Sequence, residues 1–125
     1  MDYSYLAGLL DGDGSISLVK PKRNRIPYVS IHLCQIATEE FLTIGVELDR
    51  PVYTSTVPAT CGLPKGEICW FGKDAEALLD KGGPLLRLKA KQVRIIREFQ
   101  RARADSNITL MLESKARLEA ANKAN

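Results

Sequence analysis

Two acids, Asp11 and Asp13, alternate with two glycines, Gly12 and Gly14, close to the start of the chain. They follow the run Leu6-Ala7-Gly8-Leu9-Leu10 and precede Ser15-Ile16-Ser17-Leu18-Val19. The pattern reads as a short helix that stops at its acids and turns at once into a strand. A carboxylate at the C-terminal end of a helix faces the negative pole of the helix dipole, which costs about 0.3–1 kcal/mol. Asp13 therefore does nothing for the helix, and its type suits cation binding or chemistry. Gly8 and Gly12 lie four residues apart on one helix face, and a Gly-x-x-x-Gly face lets two backbones approach closely.

Three plainer readings compete. One is a simple helix stop capped by Gly14. An EF-hand loop starting at Asp11 fails, because its sixth position is Ile16 rather than Gly and its twelfth is Lys22 rather than Glu. A dinucleotide-binding glycine loop also fails: Ser17 replaces the third Gly, and the order is helix then strand, the reverse of what a phosphate requires.

The elements that must carry these residues follow from periodicity. Tyr3 to Asp11 reads as the first helix and Ser15 to Lys20 as a strand. Pro21 to Pro27 is a basic turn, and Tyr28 to Gln35 is a second strand. Val29, Ile31 and Leu33 form its apolar face, with Tyr28, Ser30, His32 and Cys34 opposite. Thr38 caps a helix to Leu48 that carries Phe41, Leu42, Ile44 and Val46. Val52 to Val57 and Glu67 to Phe71 form a second hairpin, joined by a loop containing Pro58, Gly62, Pro64, Lys65 and Gly66. A short helix from Lys73 to Leu79 breaks at Lys81-Gly82-Gly83-Pro84. A long helix from Leu88 to Ala104 uses Val93, Ile96 and Phe99. A last helix from Ile108 to Ala121 uses Met111, Leu112 and Leu118, and the tail from Asn122 is frayed. The expected class is α+β: αββαββα with C-terminal helices, in a single domain spanning 1–125.

Composition narrows the partners. The chain has 125 residues, a net charge of +3 and 45% hydrophobic residues, enough for one core. Its bases are clustered. Lys20, Lys22, Arg23 and Arg25 carry no acid among them, which suits a polyanion. Arg87, Lys89, Lys91, Arg94, Arg97, Arg101 and Arg103 face one acid, Glu98, and read either as a solvated face or as part of the same surface. Cys34, Cys61 and Cys69 show no paired metal spacing. Their odd count points to free thiols in a reducing, intracellular compartment. His32 and Cys34 alternate on one strand and could share a metal, although plain strand positions are the commoner meaning. No apolar run is long enough for a membrane span, and no cleavable targeting segment is expected.

The nine residues Leu6 to Gly14 resemble the signature of the LAGLIDADG homing endonucleases, differing at Leu10 and Gly12. The resemblance implies two hairpins forming a saddle-shaped DNA-binding sheet. It also implies metal ligation by Asp13 with the carbonyl of Gly12. Two further stretches extend it: Cys34 to Leu42, where Gln35 matches a glutamine that orients solvent near the scissile phosphate, and Gly83 to Gln92, where Lys89 matches a lysine near the active site. Where related enzymes carry a further base after that glutamine, this chain has Glu39 and Glu40.

A single motif copy with a small-residue face predicts a two-fold homodimer. Ala7, Gly8, Asp11 and Gly12 are the expected contact residues. Two Asp13 carboxylates about 6 Å apart would repel by roughly 3 kcal/mol at an effective dielectric of 20. A hard cation such as Mg²⁺ would relieve that repulsion and could activate water against a phosphodiester. A two-stranded ribbon fits the major groove of double-stranded DNA. Ser15, Ser17, Val19, Tyr28, Ser30 and His32 are placed by alternation to face bases. Lys20, Lys22, Arg23 and Arg25 would hold phosphates. The expected function is a metal-dependent, site-specific endonuclease that makes a double-strand break in a long pseudo-palindromic site. An RNA-binding maturase and a DNA-binding regulator without cleavage are the alternatives.

Overall fold

The computed structural model describes residues 2–23, 26–58 and 62–124. Helix α1 spans Tyr3–Asp13, and the Asp2 side chain accepts the Ser4 N–H at 2.9 Å to cap it. It runs through both acids, two residues further than periodicity suggests, and passes without a loop into strand β1, Gly14–Val19. Gly14 is required by proximity: a Cβ there would stand 2.7 Å from the Leu10 carbonyl oxygen. The helix stop capped by Gly14 is therefore real and coexists with an exposed Asp13.

Strand β2 is Tyr28–Ile36, and helix α2 is Glu39–Glu47, capped by Thr38 Oγ1 accepting the Phe41 N–H. Strands β3, Tyr53–Pro58, and β4, Pro64–Phe71, form the second hairpin. The sheet is antiparallel in the order β1-β2-β4-β3, so the two hairpins join edge to edge through β2 and β4. The α+β expectation with two hairpins and flanking helices holds.

The buried residues of the helices share one core with one face of this sheet. Ile16, Leu18, Val29, Ile31, Leu33, Ile68 and Trp70 point into that layer, where Leu6, Leu10, Phe41, Leu79, Ile96 and Phe99 meet them. Helix α3 runs Lys73–Gly82, a 3₁₀ turn follows at Gly83–Leu85, and α4 occupies Ala90–Ala104. The glycine pair therefore ends the helix later than expected, because Leu78, Leu79 and Gly82 continue the buried face of α3. Helix α5 covers Ile108–Ala124. Its buried stripe is Met111, Ser114, Leu118 and Ala121, and Leu112 lies one residue off that stripe, exposed. Asn122 is held rather than frayed, its amide donating to the Ile16 carbonyl at 2.9 Å. Among the described residues no helix is long and apolar enough to cross a membrane.

Two of the α4 bases lock helices together. Arg97 donates to Asp80 at 2.9 Å, and Arg103 donates to Glu76 at 3.0 Å, where the Gln100 amide also donates at 2.8 Å. Burial raises the Glu76 carboxyl, but the Arg103 and Gln100 hydrogen bonds outweigh it and hold the group below its ordinary value of 4.5. A depressed carboxyl stabilises the fold above that ordinary value and loses the effect as pH falls through its own lower one. Glu76→Gln is expected to lower the melting temperature at neutral pH by a few degrees, the scale of about 1 kcal/mol in a small domain. Melts repeated as the pH is stepped down below 4.5 should show the gap between parent and variant closing, as linkage requires. An unchanged gap there would mean packing, not charge, is at stake.

Candidate active site

Asp13 ends α1 with its side chain exposed. Because α1 feeds directly into β1, and Gly14 pairs with Leu33, the tip of the helix is fixed beside the end of β2. There Gln35 donates from Nε2 to Asp13 Oδ2 at 2.8 Å. Both residues line an open cleft of about 510 Å³, shared with Cys34, Ile36, Thr38 and Lys65. The helix end contributes further oxygens, since the last four carbonyls of a helix have no partner within it. An exposed carboxylate beside such carbonyls, Gly12 in the last turn among them, is a hard-oxygen donor set that fits Mg²⁺.

Lys65 is the residue that sequence reasoning missed. It looked like part of a connecting loop, but β4 begins at Pro64 and pairs Lys65 with Ile36. A base thus stands in the cleft from the neighbouring strand, while Glu39 and Glu40 sit exposed in the first turn of α2. No spacing in the sequence signals this; only the β2–β4 pairing does.

Asp11 turns inward. Its Oδ2 accepts the Arg87 N–H at 2.8 Å and its Oδ1 the Lys89 N–H at 3.2 Å. That clasp ties the main chain of Lys89, the residue preceding α4, to the motif helix. The Asp11 carboxylate is thus engaged within its own chain. Ala7 needs correction: it is 3% exposed and belongs to the core with Leu6 and Leu10, about 100° around the helix from Gly8. Gly8 and Gly12 are exposed, with nothing within 4 Å of a Cβ built on either.

On the open face of the sheet, Ser15 is exposed, and Ser17, Val19 and Tyr28 are half-buried. Lys20, Lys22 and Arg23 are exposed at the hairpin tip; Arg25 and Cys61 lie outside the described residues. Two expected base-reading residues are not available for that role. Ser30 is fully buried, paired across from Ser17 on one side and Phe71 on the other. Tyr28 and His32 both meet the Phe71 ring edge-on, with centroids 6.3 and 5.6 Å apart. The His32 ring is engaged at both nitrogens, Nε2 with Ser30 Oγ at 2.6 Å and Nδ1 with Glu67 Oε1 at 3.1 Å. Cys69 donates to Glu67 Oε1 at 2.9 Å and Cys34 to Glu67 Oε2 at 3.2 Å. The Cys69 hydrogen bond, aided by His32 and Cys34, holds Glu67 below the usual carboxylate range. Burial and the Glu67 carboxylate push the Cys34 thiol up to about 11 and that of Cys69 up to about 12.

No family model and no curated protein matches the sequence. Solved structures do. The homing endonuclease I-CvuI, crystallised with the I-CreI target and magnesium with its DNA uncleaved, superposes with a TM-score of 0.66 at 21% identity, covering 95% of this chain and 80% of that one. The archaeal intron-encoded homing endonuclease I-Vdi141I, complexed with DNA, gives a TM-score of 0.70 at 12% identity, covering 95% and 82%. The homing endonuclease I-TnaI gives 0.59 at 15% identity, covering 99% and 97%. The helix that ends in acids, the paired hairpins and the one-sided helical layer are together the fold of the LAGLIDADG homing endonucleases.

Proposed function

We propose that this chain is a DNA endonuclease that works as a homodimer, requires a divalent metal and makes a double-strand break in a long pseudo-palindromic site. The observation that carries the reading is Asp13: a carboxylate at the unfavourable end of a helix, oriented by Gln35 at 2.8 Å in an open cleft. Structural neighbours with this fold are complexes with DNA, one with magnesium and one with calcium. Asp13 and the Gly12 carbonyl would hold Mg²⁺, which when bound supplies Lewis-acid charge for phosphodiester hydrolysis.

The other parts have defined duties. Gln35 fixes which Asp13 oxygen is free and offers its carbonyl oxygen to solvent beside the phosphate. Lys65 and Lys89 draw phosphate towards the cleft. Ser15, Ser17, Val19 and Tyr28 face base edges in the major groove, and Lys20, Lys22, Arg23 and Arg25 grip the backbone. Glycines 8 and 12 leave room for the same helix of a second copy, so that two Asp13 side chains serve two strands.

The test is direct: incubate the purified chain with a randomised DNA library and Mg²⁺, then sequence all new ends. Discrete paired cuts with approximate two-fold symmetry are expected. Intact DNA would leave a binding protein, and unpaired nicks would remove the dimer from the reading.

A further inference from the structure

On the open face of the sheet, two adjacent rungs of the β2–β4 ladder carry four side chains of metal-ligating type. His32 stands opposite Cys69, and Cys34 stands opposite Glu67. Residues two apart on a strand share a face, so the four occupy neighbouring corners of one square. The polar atoms of three of them converge. His32, Glu67 and Cys69 each offer a ligand atom, and these atoms all lie within 4.8 Å of one another. Cys34 Sγ reaches the second Glu67 oxygen at 3.2 Å.

We propose that His32, Glu67 and Cys69, with Cys34 turning in from the Glu67 side as a fourth ligand, form a binding site for a zinc-class divalent ion on the seam between the two hairpins. The donor set of one imidazole, one carboxylate and two thiols suits Zn²⁺ and excludes Mg²⁺, which prefers oxygen ligands. The spacing fits as well. With Zn–N about 2.0 Å and Zn–S about 2.3 Å, a tetrahedral ion separates nitrogen from sulfur by about 3.5 Å. His32 Nδ1 and Cys69 Sγ are 3.4 Å apart. His32 Nδ1 and Glu67 Oε1, at 3.1 Å, need to open only slightly.

The imidazole is already oriented for this role. A metal on Nδ1 requires the proton on Nε2, and Nε2 lies 2.6 Å from the buried Ser30 hydroxyl, which can accept it. The buried serine, surplus to base reading, thereby acquires a purpose as the positioning partner of the ligand. Binding balances in charge: the ion brings two positive charges, and the two thiols release two protons to solvent. The local charge stays as it was, so the ion would pin the seam between hairpins without adding attraction for phosphate. The site stands apart from Asp13 in chemistry and does not depend on the endonuclease reading.

Co²⁺ titrated into the chelator-stripped full chain is the probe. Expected are tetrahedral d–d bands and a thiolate-to-cobalt charge-transfer band that saturate at one ion per chain. Zn²⁺ should displace them, and a large excess of Mg²⁺ should not. Cys69→Ser takes a ligand from the converging set and should abolish Co²⁺ binding, and the charge-transfer band with it. Cys34→Ser, at an exposed position, should halve its intensity, one of two thiolates being lost. Asp13→Asn should leave the spectrum unchanged, which separates this site from the Asp13 carboxylate although Cys34 borders the same cleft. Circular dichroism checks that each variant is folded. No thiolate band in the folded parent would overturn the proposal, as would a band that survives both cysteine substitutions and so comes from Cys61.

Discussion

Asp13→Asn is expected to cut the rate of DNA cleavage ~10³-fold or more while shifting DNA affinity by less than about tenfold. Asparagine has nearly the same shape, and its carbonyl oxygen can still accept the Gln35 amide that now sits 2.8 Å from the carboxylate. What disappears is one negative charge on a hard-oxygen ligand. A ~10³-fold loss corresponds to about 4 kcal/mol of transition-state stabilisation, within what one metal ligand supplies. The same substitution should leave the fold as stable or slightly more stable, because it removes a charge that opposes the dipole of α1 by about 0.3–1 kcal/mol. Cleavage rates, gel shifts without cleavage and thermal melts read the three quantities separately. A variant that cuts normally would end the assignment of Asp13 as ligand, and one that melts well below the parent would reassign it to structure.

Gly8→Leu is expected to convert a two-chain particle into a folded single chain, halving the mass seen by light scattering and abolishing double-strand breaks. A Cβ at this position opens onto free space, and Gly8 lies on the exposed side of α1, so a longer side chain can extend outward from its own protomer. Leucine is also the better helix former by roughly 0.8 kcal/mol, which protects α1 from collapse. The substitution therefore burdens only a helix that comes close from outside. Tyr5 and Gly12 share this exposed side, whereas Ala7 faces the core. An unchanged mass, with circular dichroism also unchanged, would place the dimer contact elsewhere or remove it.

Local signals carried most of the fold. Val29, Ile31 and Leu33 alternate cleanly and are all buried. Thr38 caps α2 as its type suggests, and Asn107 Oδ1 accepts the Leu110 N–H to start α5. Asp13 stood out by its place at the helix end and Gln35 only through the family resemblance, and the two side chains meet. What failed to show was whatever depends on which strands adjoin. Lys65, Glu67 and Cys69 gain their neighbours through a β2–β4 pairing between residues 29 to 37 positions apart, and no short-range pattern encodes it. Ser30 looked available because alternation puts it on the polar face, but Phe71 arrives from β4 and covers it. Ala7 was grouped with Gly8 by small size, whereas the stripe Leu6, Ala7 and Leu10 decides which way it points. Arg97 and Arg103, read as surface charge, find acids on α3 that only tertiary packing brings near.

The division between the two sides of the sheet has an evolutionary reach. The helices crowd onto one side, and the residues that cohere there, from Ile16 to Ile68, alternate with residues that take no part in that cohesion. Ser15, Ser17 and Val19 can be exchanged without touching a single buried neighbour of the helical layer. If this face reads DNA as proposed, a lineage carrying this scaffold could rewrite what it recognises one letter at a time while the helical layer keeps its packing.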